Sequence, residues 1–346
     1  FKALRGHTTH EAVLDLPAMG PFSVKLSGQI TKRDGFVDVV DNPFPAAAPF
    51  ARPASTSQAQ SLDGRSAMVQ VRFEPTSNLT FDYMYDYSKY DQRPGAGQLL
   101  RVNTNGDPRD IFDPGSPGYI GVPLGLFANP DRQKRLSIDA APFSEFSRIY
   151  GHALTATLDL GGAELKSITA YRDLKFIDSL ELDGSPIDIA RTSRITDMNS
   201  FSQELQFTGT ALRDRLHYVV GGFYYDESAG TLNPQTFFGL FGPFANEFDS
   251  RYASNTTAWA AYAQADFAIT DAFKVTLGGR YTEEKKDISR FLQVLRDPTI
   301  PAAALPFTVA DVRFGDLPDA QFSNFSPAAT VSYEVNRDVN VYARFA

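Results

Sequence analysis

The sequence predicts an all-β fold, an antiparallel meander of about twelve long strands. Composition is the first observation behind this prediction: aromatic residues make up 13% of the chain, and 25 Gly and 22 Pro are available for turns. The second observation is that apolar and polar residues alternate with a period of two in many segments. The third is that short and long connections between these segments alternate along the whole chain.

The period-two alternation is clearest between residues 79 and 88. Leu79, Phe81, Tyr83, Tyr85 and Tyr87 alternate with mostly polar residues, which gives a strand one aromatic face and one polar face. A helix would mix the two sets, because its period is 3.6. Similar runs complete the set of predicted strands, which cover residues 10–18, 20–33, 64–74, 78–90, 146–160, 163–178, 198–208, 214–228, 254–269, 272–288, 321–335 and 338–346.

The connections between these strands fall into two classes. A compact soluble domain rarely carries several unstructured loops longer than about 12–15 residues. Short turns at one end and long loops at the other are typical of an outer-membrane β-barrel, in which the long loops face the exterior. The short connections lie at 18–20, 75–78, 161–162, 209–213, 270–272 and 336–338, and the long ones at 34–63, 91–145, 180–197, 229–250 and 289–319.

Composition and charge exclude several classes of function. Lys and Arg total 33 against 41 Asp and Glu, and the resulting charge of −8 argues against general nucleic-acid binding. Disulfides, thiolate metal sites and cysteine nucleophiles are excluded because the chain has no Cys. The four His are too dispersed to predict a metal site, and no nucleotide-binding, metalloprotease or serine-hydrolase motif occurs in a suitable context. The sequence therefore predicts no enzyme and no cofactor.

Six sequence motifs are spread over the predicted strands and their connections. They are SITAYR (167–172), Asp183 with Gly184, FSQELQF (201–207), LHYVVGGFYYDE (216–227), AYAQADFAITDAFKVTLGGRYTEEKK (261–286) and VSYEVNRDVNVYARF (331–345). As a set they resemble the TonB-dependent receptors of the bacterial outer membrane. The resemblance implies a 22-stranded transmembrane barrel filled by an N-terminal plug. Residues 1–346 would form about half of that barrel, with no second soluble domain.

The resemblance also implies what surrounds this chain and what it does. The plug and the closing strands are expected to be missing from residues 1–346, and residues 1–6 (FKALRG) are interpreted as a remnant of the junction between plug and barrel. The implied location is the outer membrane of a Gram-negative bacterium, in contact with outer-membrane lipid. The implied function is energy-coupled uptake of a scarce nutrient, such as an iron–siderophore complex, haem, cobalamin or a carbohydrate. Energy would come from the inner-membrane TonB complex, acting through the plug.

Three candidate ligand-contacting residues lie on polar faces of predicted strands. In FSQELQF, Glu204 and Gln206 share the face that would line the lumen, where they are predicted to contact plug or substrate. The alternative, which the sequence favours, is inter-strand hydrogen bonding in a wet lumen. Arg280, beside Gly278 in LGGRYTEE, is a candidate of the same kind, and a ladder of lumen salt bridges is its favoured alternative.

The connection at 236–244 (TFFGLFGPF) is unusually apolar for an exposed loop. Phe237, Phe238, Phe241 and Phe244 are predicted to contact a ligand or to form a lid at the outer mouth. Loop–loop packing is the alternative that the sequence favours, and residues 112–127 raise the same question. A band of aromatic side chains at the membrane interface is predicted for Tyr85, Tyr87, Tyr90, Tyr171, Tyr224, Tyr225 and Tyr281.

Two other interpretations stay open at this point. A passive 12-stranded channel or a barrel enzyme would require the first strand to pair with the last. A soluble β-sandwich or propeller is the other, although the sequence contains no repeat of the length that a propeller blade needs.

Overall fold

The computed structural model describes residues 6–54, 56–102, 110–122, 124–139 and 144–346, so the segment at 1–6 lies outside the described residues except for Gly6. Short 3₁₀ helices occupy Pro45–Phe50, Leu124–Phe127, Gly242–Phe244 and Ala302–Ala304. No helix in the described ranges is long and apolar enough to cross a membrane. The strands are β1 (Thr8–Asp15), β2 (Phe22–Arg33), β3 (Val37–Val39), β4 (Gln58–Ala59), β5 (Leu62–Thr76), β6 (Leu79–Gln92), β7 (Arg135–Leu136), β8 (Ser144–Asp159), β9 (Ala163–Glu181), β10 (Ala190–Ala211), β11 (Leu216–Leu232), β12 (Gln235–Phe237), β13 (Asn246–Ala268), β14 (Phe273–Arg296), β15 (Phe307–Val312), β16 (Ala320–Asn336) and β17 (Val339–Phe345).

The long strands form one antiparallel sheet in which neighbours in sequence are neighbours in space. Its order is β1-β2-β5-β6-β8-β9-β10-β11-β13-β14-β16-β17, with β12 paired to β10 and β13, and β15 paired to β14. Each predicted strand corresponds to one of these twelve, which confirms the all-β meander. The edge strands β1 and β17 do not pair with each other in the part of the chain that the structure describes. The closed 12-stranded barrel is therefore not observed.

Several strands extend farther toward the long connections than the sequence predicts. β10 begins at Ala190 instead of residue 198, and β14 continues to Arg296 instead of residue 288. In these extensions charged and polar residues occur on both faces, so the period-two signal is lost. Backbone pairing continues nevertheless, because it does not depend on the side chains.

The register of the strands separates an apolar face from a polar face. Phe201, Leu205 and Phe207 share the apolar face of β10, and Leu165 of β9 and Val220 of β11 lie directly opposite Phe207. Leu205 is 50% exposed, and many other large apolar side chains of this face are also exposed. A continuous exposed apolar surface of this kind suits contact with lipid rather than with water.

Aromatic side chains form two bands on the apolar face. Near the short turns, Phe22 stacks on Phe73 and Phe73 on Phe81, with ring centroids 4.5 and 6.1 Å apart. Farther from the turns, Trp259 lies 5.4 Å from Tyr281. Five tyrosines of the predicted band lie on the apolar face. The other two lie on the polar face, because each is separated from an outward-facing tyrosine of the same strand by an odd number of residues, one or three. The five are Tyr85, Tyr87, Tyr171, Tyr224 and Tyr281, and the two are Tyr225 and Tyr90.

The long connections pack against one another at the end of the sheet opposite the short turns. One hydrophobic cluster joins β3, β4 and β7, which form a separate three-stranded sheet, and includes the buried Ile138. A second cluster draws residues from four connections around Val122, Ile187 and Phe241. The loop residues thus have buried apolar contacts of their own, which the strands of the barrel wall largely lack.

Candidate functional site

A hydrogen-bonded group on the polar face brings three strands together. Glu204 of β10 accepts a hydrogen bond from the Tyr262 hydroxyl of β13 at 2.6 Å and another from Gln206 Nε2 at 3.0 Å. The strand between them, β11, contributes no hydrogen bond to this group. The predicted site residues Glu204 and Gln206 are therefore in contact within β10, and Glu204 is also bonded across the sheet to Tyr262 of β13.

Gly221 makes the contact across β11 possible. In the register it lies between Gln206 of β10 and Tyr262 of β13. A Cβ atom at this position would overlap the Tyr262 ring, so only glycine lets the ring lie over the strand. The glycine that follows, Gly222, points to the apolar face, where a Cβ atom would meet only Ala260 O at 3.8 Å.

We expect Gly221→Ala to uncouple Glu204 from Tyr262. In the native background, a double-mutant cycle with Glu204→Gln and Tyr262→Phe should give a coupling energy of about 1 kcal/mol in urea unfolding of the full-length protein in vesicles. In the Gly221→Ala background the coupling should fall to near zero, whereas Gly222→Ala should leave it unchanged. Persistence of the coupling in the Gly221→Ala background would contradict the arrangement.

Arg280 joins the same group through aromatic rings. Its guanidinium carbon lies 5.8 Å from the ring centroids of both Tyr262 and Phe223, and its Nε donates to Thr282 Oγ1 at 3.1 Å. Within the described residues no carboxylate is within ion-pair distance of Arg280, so cation–π contacts take the place of the expected salt-bridge ladder.

A second long side chain, which is not among the predicted site residues, crosses a glycine on the polar face. Arg172 of β9 reaches over Gly151 of β8 and donates two hydrogen bonds to Asp86 of β6, at 2.9 and 3.0 Å. The feature that indicates this contact is a glycine within a strand, Gly151, whose paired residues on the two neighbouring strands, Asp86 and Arg172, carry opposite charges. It can be seen only once the register is known.

The four phenylalanines of the connection at 236–244, called the aromatic loop below, differ in how far their side chains are buried. Phe241 is 4% exposed, with its ring 5.1 Å from Phe50 and 5.5 Å from Phe238. Phe237 lies 6.2 Å from Phe248. Phe244 is 47% exposed. The loop–loop packing alternative thus describes Phe238 and Phe241, and Phe244 is the member of the four that is open to a ligand in this conformation.

Buried charged side chains link the long connections beside the aromatic loop. Asp188 has a side chain 1% exposed, and it accepts hydrogen bonds from Arg52 Nε at 2.8 Å and from Arg191 Nε at 3.1 Å. Arg52 also lies 3.6 Å from Asp139, whose side chain is 2% exposed. Burial and the negative charge of Asp188 raise the pKa of Asp139 to about 8. This cluster connects the β2–β5, β6–β8 and β9–β10 connections.

A second buried carboxyl pair lies nearby at the end of β9. Glu181 Oε1 accepts the backbone N–H groups of Asp183 and Gly184 at 2.5 and 2.7 Å. Burial and the adjacent charge of Asp183 raise the pKa of Glu181 to about 9. Asp183 in turn accepts the Ser185 hydroxyl at 2.5 Å, and burial raises its pKa also.

These shifts predict that the packed connections loosen as the pH rises. A carboxyl group with a raised pKa stabilises the packed form fully below its ordinary pKa near 4, and that contribution is lost as the pH rises toward its packed-state pKa of about 8 to 9. Amide hydrogen exchange in residues 45–54 and 185–190 should therefore be faster at pH 9 than at pH 6, after correction for intrinsic exchange. Asp139→Asn and Glu181→Gln should each reduce this dependence of the exchange rate on pH. A pH dependence that is unchanged in both variants would contradict this assignment.

A depression on the polar face lies at the ends of β12, β13 and β14 that are farthest from the short turns. It has a volume of about 570 Å³ and is lined by Asn233, Gln235, Phe248, Ser250, Tyr252, Arg290 and Leu292. Arg290 donates to Ser250 Oγ at 2.7 Å and lies 5.9 Å from the Tyr252 ring. No carboxylate of the described chain is within ion-pair distance of Arg290. Arg290 falls in the predicted long connection at 289–319 and is not among the predicted site residues.

The described residues include no group of three or more His, Asp or Glu side chains arranged to hold a metal ion. The chemical groups gathered on the polar face, which are amides, hydroxyls, aromatic rings and arginines, can bind a polar or anionic ligand by hydrogen bonds and ring contacts.

Comparison with known proteins gives a family and a set of similar folds. Residues 69–346 match the family described as TonB dependent receptor-like, beta-barrel. The structure is similar to the siderophore receptor PiuA from Acinetobacter baumannii, with 10% identity and a TM-score of 0.65 over 97% of this chain and 47% of that chain. It is also similar to the ferric yersiniabactin uptake receptor FyuA from Yersinia pestis, with 13% identity and a TM-score of 0.62 over 98% and 45%. No curated protein matches the chain.

The chain spans less than half the length of these two structures. At identities this low the likeness concerns the fold alone.

Proposed function

Because the chain belongs to the TonB-dependent receptor β-barrel family, we propose that it forms part of the barrel wall of an outer-membrane receptor that takes up an iron chelate. The depression around Arg290 is the observation that carries this proposal. An arginine without a carboxylate partner among the described residues, beside Tyr252 and Phe248, suits a ligand that is anionic and has flat or aromatic parts.

The ligand class is supported by the named functions of similar structures. PiuA is a siderophore receptor, FyuA takes up ferric yersiniabactin, and FecA transports ferric citrate. Ferric chelates are commonly anionic because their oxygen donors are deprotonated when they bind iron. Such a ligand would enter at the long connections, contact Phe244 and rest against Arg290.

Energy coupling belongs to the proposal as well. The polar face, with Glu204, Arg280 and Arg172, would pack against a plug, and the plug would transmit the action of the inner-membrane TonB complex. The test is uptake of ⁵⁵Fe supplied as ferric citrate, a ferric catecholate or ferric yersiniabactin, in cells that carry the full-length protein as their receptor. Uptake of at least one chelate should require both this protein and TonB. Failure of all three chelates, or uptake without TonB, would contradict the proposal.

Arg290 should set the affinity for the chelate. Replacing it with Gln should raise the concentration for half-maximal uptake about tenfold, since a charge-assisted contact is worth roughly 1.5–3 kcal/mol. Arg290→Lys should retain part of the affinity. The matched control is Arg251→Gln on the neighbouring strand, where the arginine faces the opposite side and pairs with Asp249 at 2.6 Å. Equal effects at both positions would refute a specific role for Arg290.

A further inference from the structure

Hydrogen-bonding side chains interrupt the apolar face on four neighbouring strands. Gln203 of β10 donates through Nε2 to Ser167 Oγ of β9 at 2.9 Å and accepts through Oε1 from the Thr169 hydroxyl at 2.6 Å. Beside this group, the Tyr83 hydroxyl of β6 and His152 Nδ1 of β8 are hydrogen-bonded at 2.8 Å. These five residues are called the membrane polar patch below.

The register places the membrane polar patch on the outward side of the sheet. The residues directly opposed across β6, β8, β9 and β10 are, in that order, Tyr83, Leu154, Thr169 and Gln203. Leu154 is 40% exposed, and Leu205, two residues from Gln203 on the same face, is 50% exposed. The patch therefore meets the same surroundings as the apolar side chains around it.

The patch lies at the depth of the hydrocarbon. Tyr83 is four residues after Leu79, where β6 begins at a short turn, and Gln203 is eight residues before Ala211, where β10 ends at one. For strands tilted by about 40° these spacings place the patch about 10–20 Å above the short turns, within an apolar band about 25 Å tall. Lipid tails at this depth offer neither donors nor acceptors to the patch.

The apolar face carries no such patch at this depth along the described β13 and β14. The outward-facing positions four to seven residues from the short turns are Ala261 and Ala263 of β13 and Leu277 and Gly279 of β14. Tyr281 of the second aromatic band follows them. Because polar groups inside a bilayer are costly, their concentration on one side of the sheet points to a function.

Part of the hydrogen-bonding capacity of the patch is unused. Among the described residues, His152 Nε2 and the hydroxyl of Tyr85, which lies directly opposite His152, have no hydrogen-bond partner. Amide, hydroxyl and imidazole groups can each donate and accept. Since the patch contains no Asp, Glu, Lys or Arg, a second copy of the same patch is complementary to it and brings no like charges together.

We propose that the membrane polar patch binds the same patch on a second copy of this protein within the membrane. The two-fold axis of the contact would run along the membrane normal near Leu154. The inference rests on the proposed function only for the outer-membrane location. In a two-fold contact every hydrogen bond forms twice, and the polar groups of both copies are withdrawn from the lipid tails.

The first test is cross-linking in isolated outer membranes. Residues 1–346 contain no Cys, so a single one can be introduced into the full-length protein after any Cys elsewhere is replaced by Ser. Leu154→Cys should give a covalent dimer with a bifunctional methanethiosulfonate reagent. The matched control is Leu277→Cys, which is 59% exposed at the same depth on β14 and should stay monomeric. A dimer at neither position, or equally at both, would overturn the proposal.

The second test is co-capture of two differently tagged full-length copies from membranes extracted in mild detergent. The double variant His152→Leu/Gln203→Leu should lower co-capture at least about tenfold, because the hydrogen bonds are lost on both sides of the contact. The control Thr257→Val/Tyr281→Phe removes outward-facing hydroxyls of β13 and β14 and should change it less than about twofold. Equal loss in both double variants, native co-capture in the first, or a different outer-membrane protein in place of the second copy would refute the contact.

Stability separates this contact from a purely structural role of the patch. In vesicles dilute enough to keep the copies apart, His152→Leu/Gln203→Leu should unfold in urea at no lower a concentration than the native protein, because leucine suits a lipid-facing position. Reduced stability together with native co-capture would mean that the patch only holds its own strands together. Each variant is checked for the heat-dependent gel shift of a folded barrel, and Gln203→Leu alone serves if the double variant lacks it. Pairing of two copies needs no iron chelate, so its failure is separate from failure of ⁵⁵Fe uptake.

Discussion

Arginine in place of Val220 should destabilise the protein by about 2–4 kcal/mol, whereas arginine in place of the adjacent Val219 should cost less than about 1 kcal/mol. The two valines are consecutive on β11 and point to opposite faces. Val220 is 51% exposed on the apolar face, opposite Phe207, while Val219 lies on the polar face opposite Gln264. A guanidinium at Val220 would have to enter hydrocarbon, and at Val219 it would stay in a polar lumen.

The two variants are compared in the full-length protein reconstituted in phospholipid vesicles. Urea unfolding, followed by the loss of the heat-dependent gel shift, gives the difference in the free energy of unfolding. Because both substitutions introduce the same side chain at neighbouring positions, general effects of charge and size cancel. Equal destabilisation by both, or greater loss at Val219, would mean that the apolar face does not contact lipid.

Asp188→Asn should lower the free energy needed to open the packed connections by about 3–5 kcal/mol, which is the usual cost of removing one partner from a buried ion pair. The substitution keeps the size of the side chain but leaves Arg52 and Arg191 with a weaker acceptor. Asp188 also lies against the backbone at Gly239, where a Cβ atom would overlap its carboxylate, so the aromatic loop should loosen too. Protease cleavage and amide exchange in residues 45–54 and 236–244 should both become faster.

The matched control for this result is Asp311→Asn. Asp311 forms a 3.2 Å ion pair with Arg313, but the two side chains are 45% and 78% exposed. An exposed pair of this kind contributes about 0–1 kcal/mol. Cleavage and exchange that respond equally to Asp188→Asn and Asp311→Asn would show that the buried cluster does not hold the connections together.

The barrel wall was the most predictable part of the molecule. The strand from Leu79 to Gln92 illustrates why, since its aromatic residues at every second position report directly which face meets lipid. Glu204 and Gln206 were assigned to the polar face for the same reason. Arg280 was found by its place on a polar face, but its contacts with Phe223 and Tyr262 were not, because they depend on which strands are neighbours.

The packed connections could not be predicted to the same degree. Phe238 and Phe241 were recognised as too apolar for simple exposure, yet their partners Phe50 and Phe112 come from distant connections. Arg290 was missed because the extension of β14 beyond residue 288 lacks a period-two pattern. No short-range signal marks Arg290 as part of a depression with Tyr252.

Local sequence patterns indicated the meander, the two faces of each strand and the short turns, because each of these leaves a signal in residues close together along the chain. The residues that meet across the sheet and between the connections follow only from the fold: Arg52 meets Asp188, 136 residues away, and Arg172 crosses Gly151 to reach Asp86. Within the sheet this depends on the register of neighbouring strands. A shift by one residue would reverse every face, and a shift by two would keep the faces but separate Arg172 from Asp86.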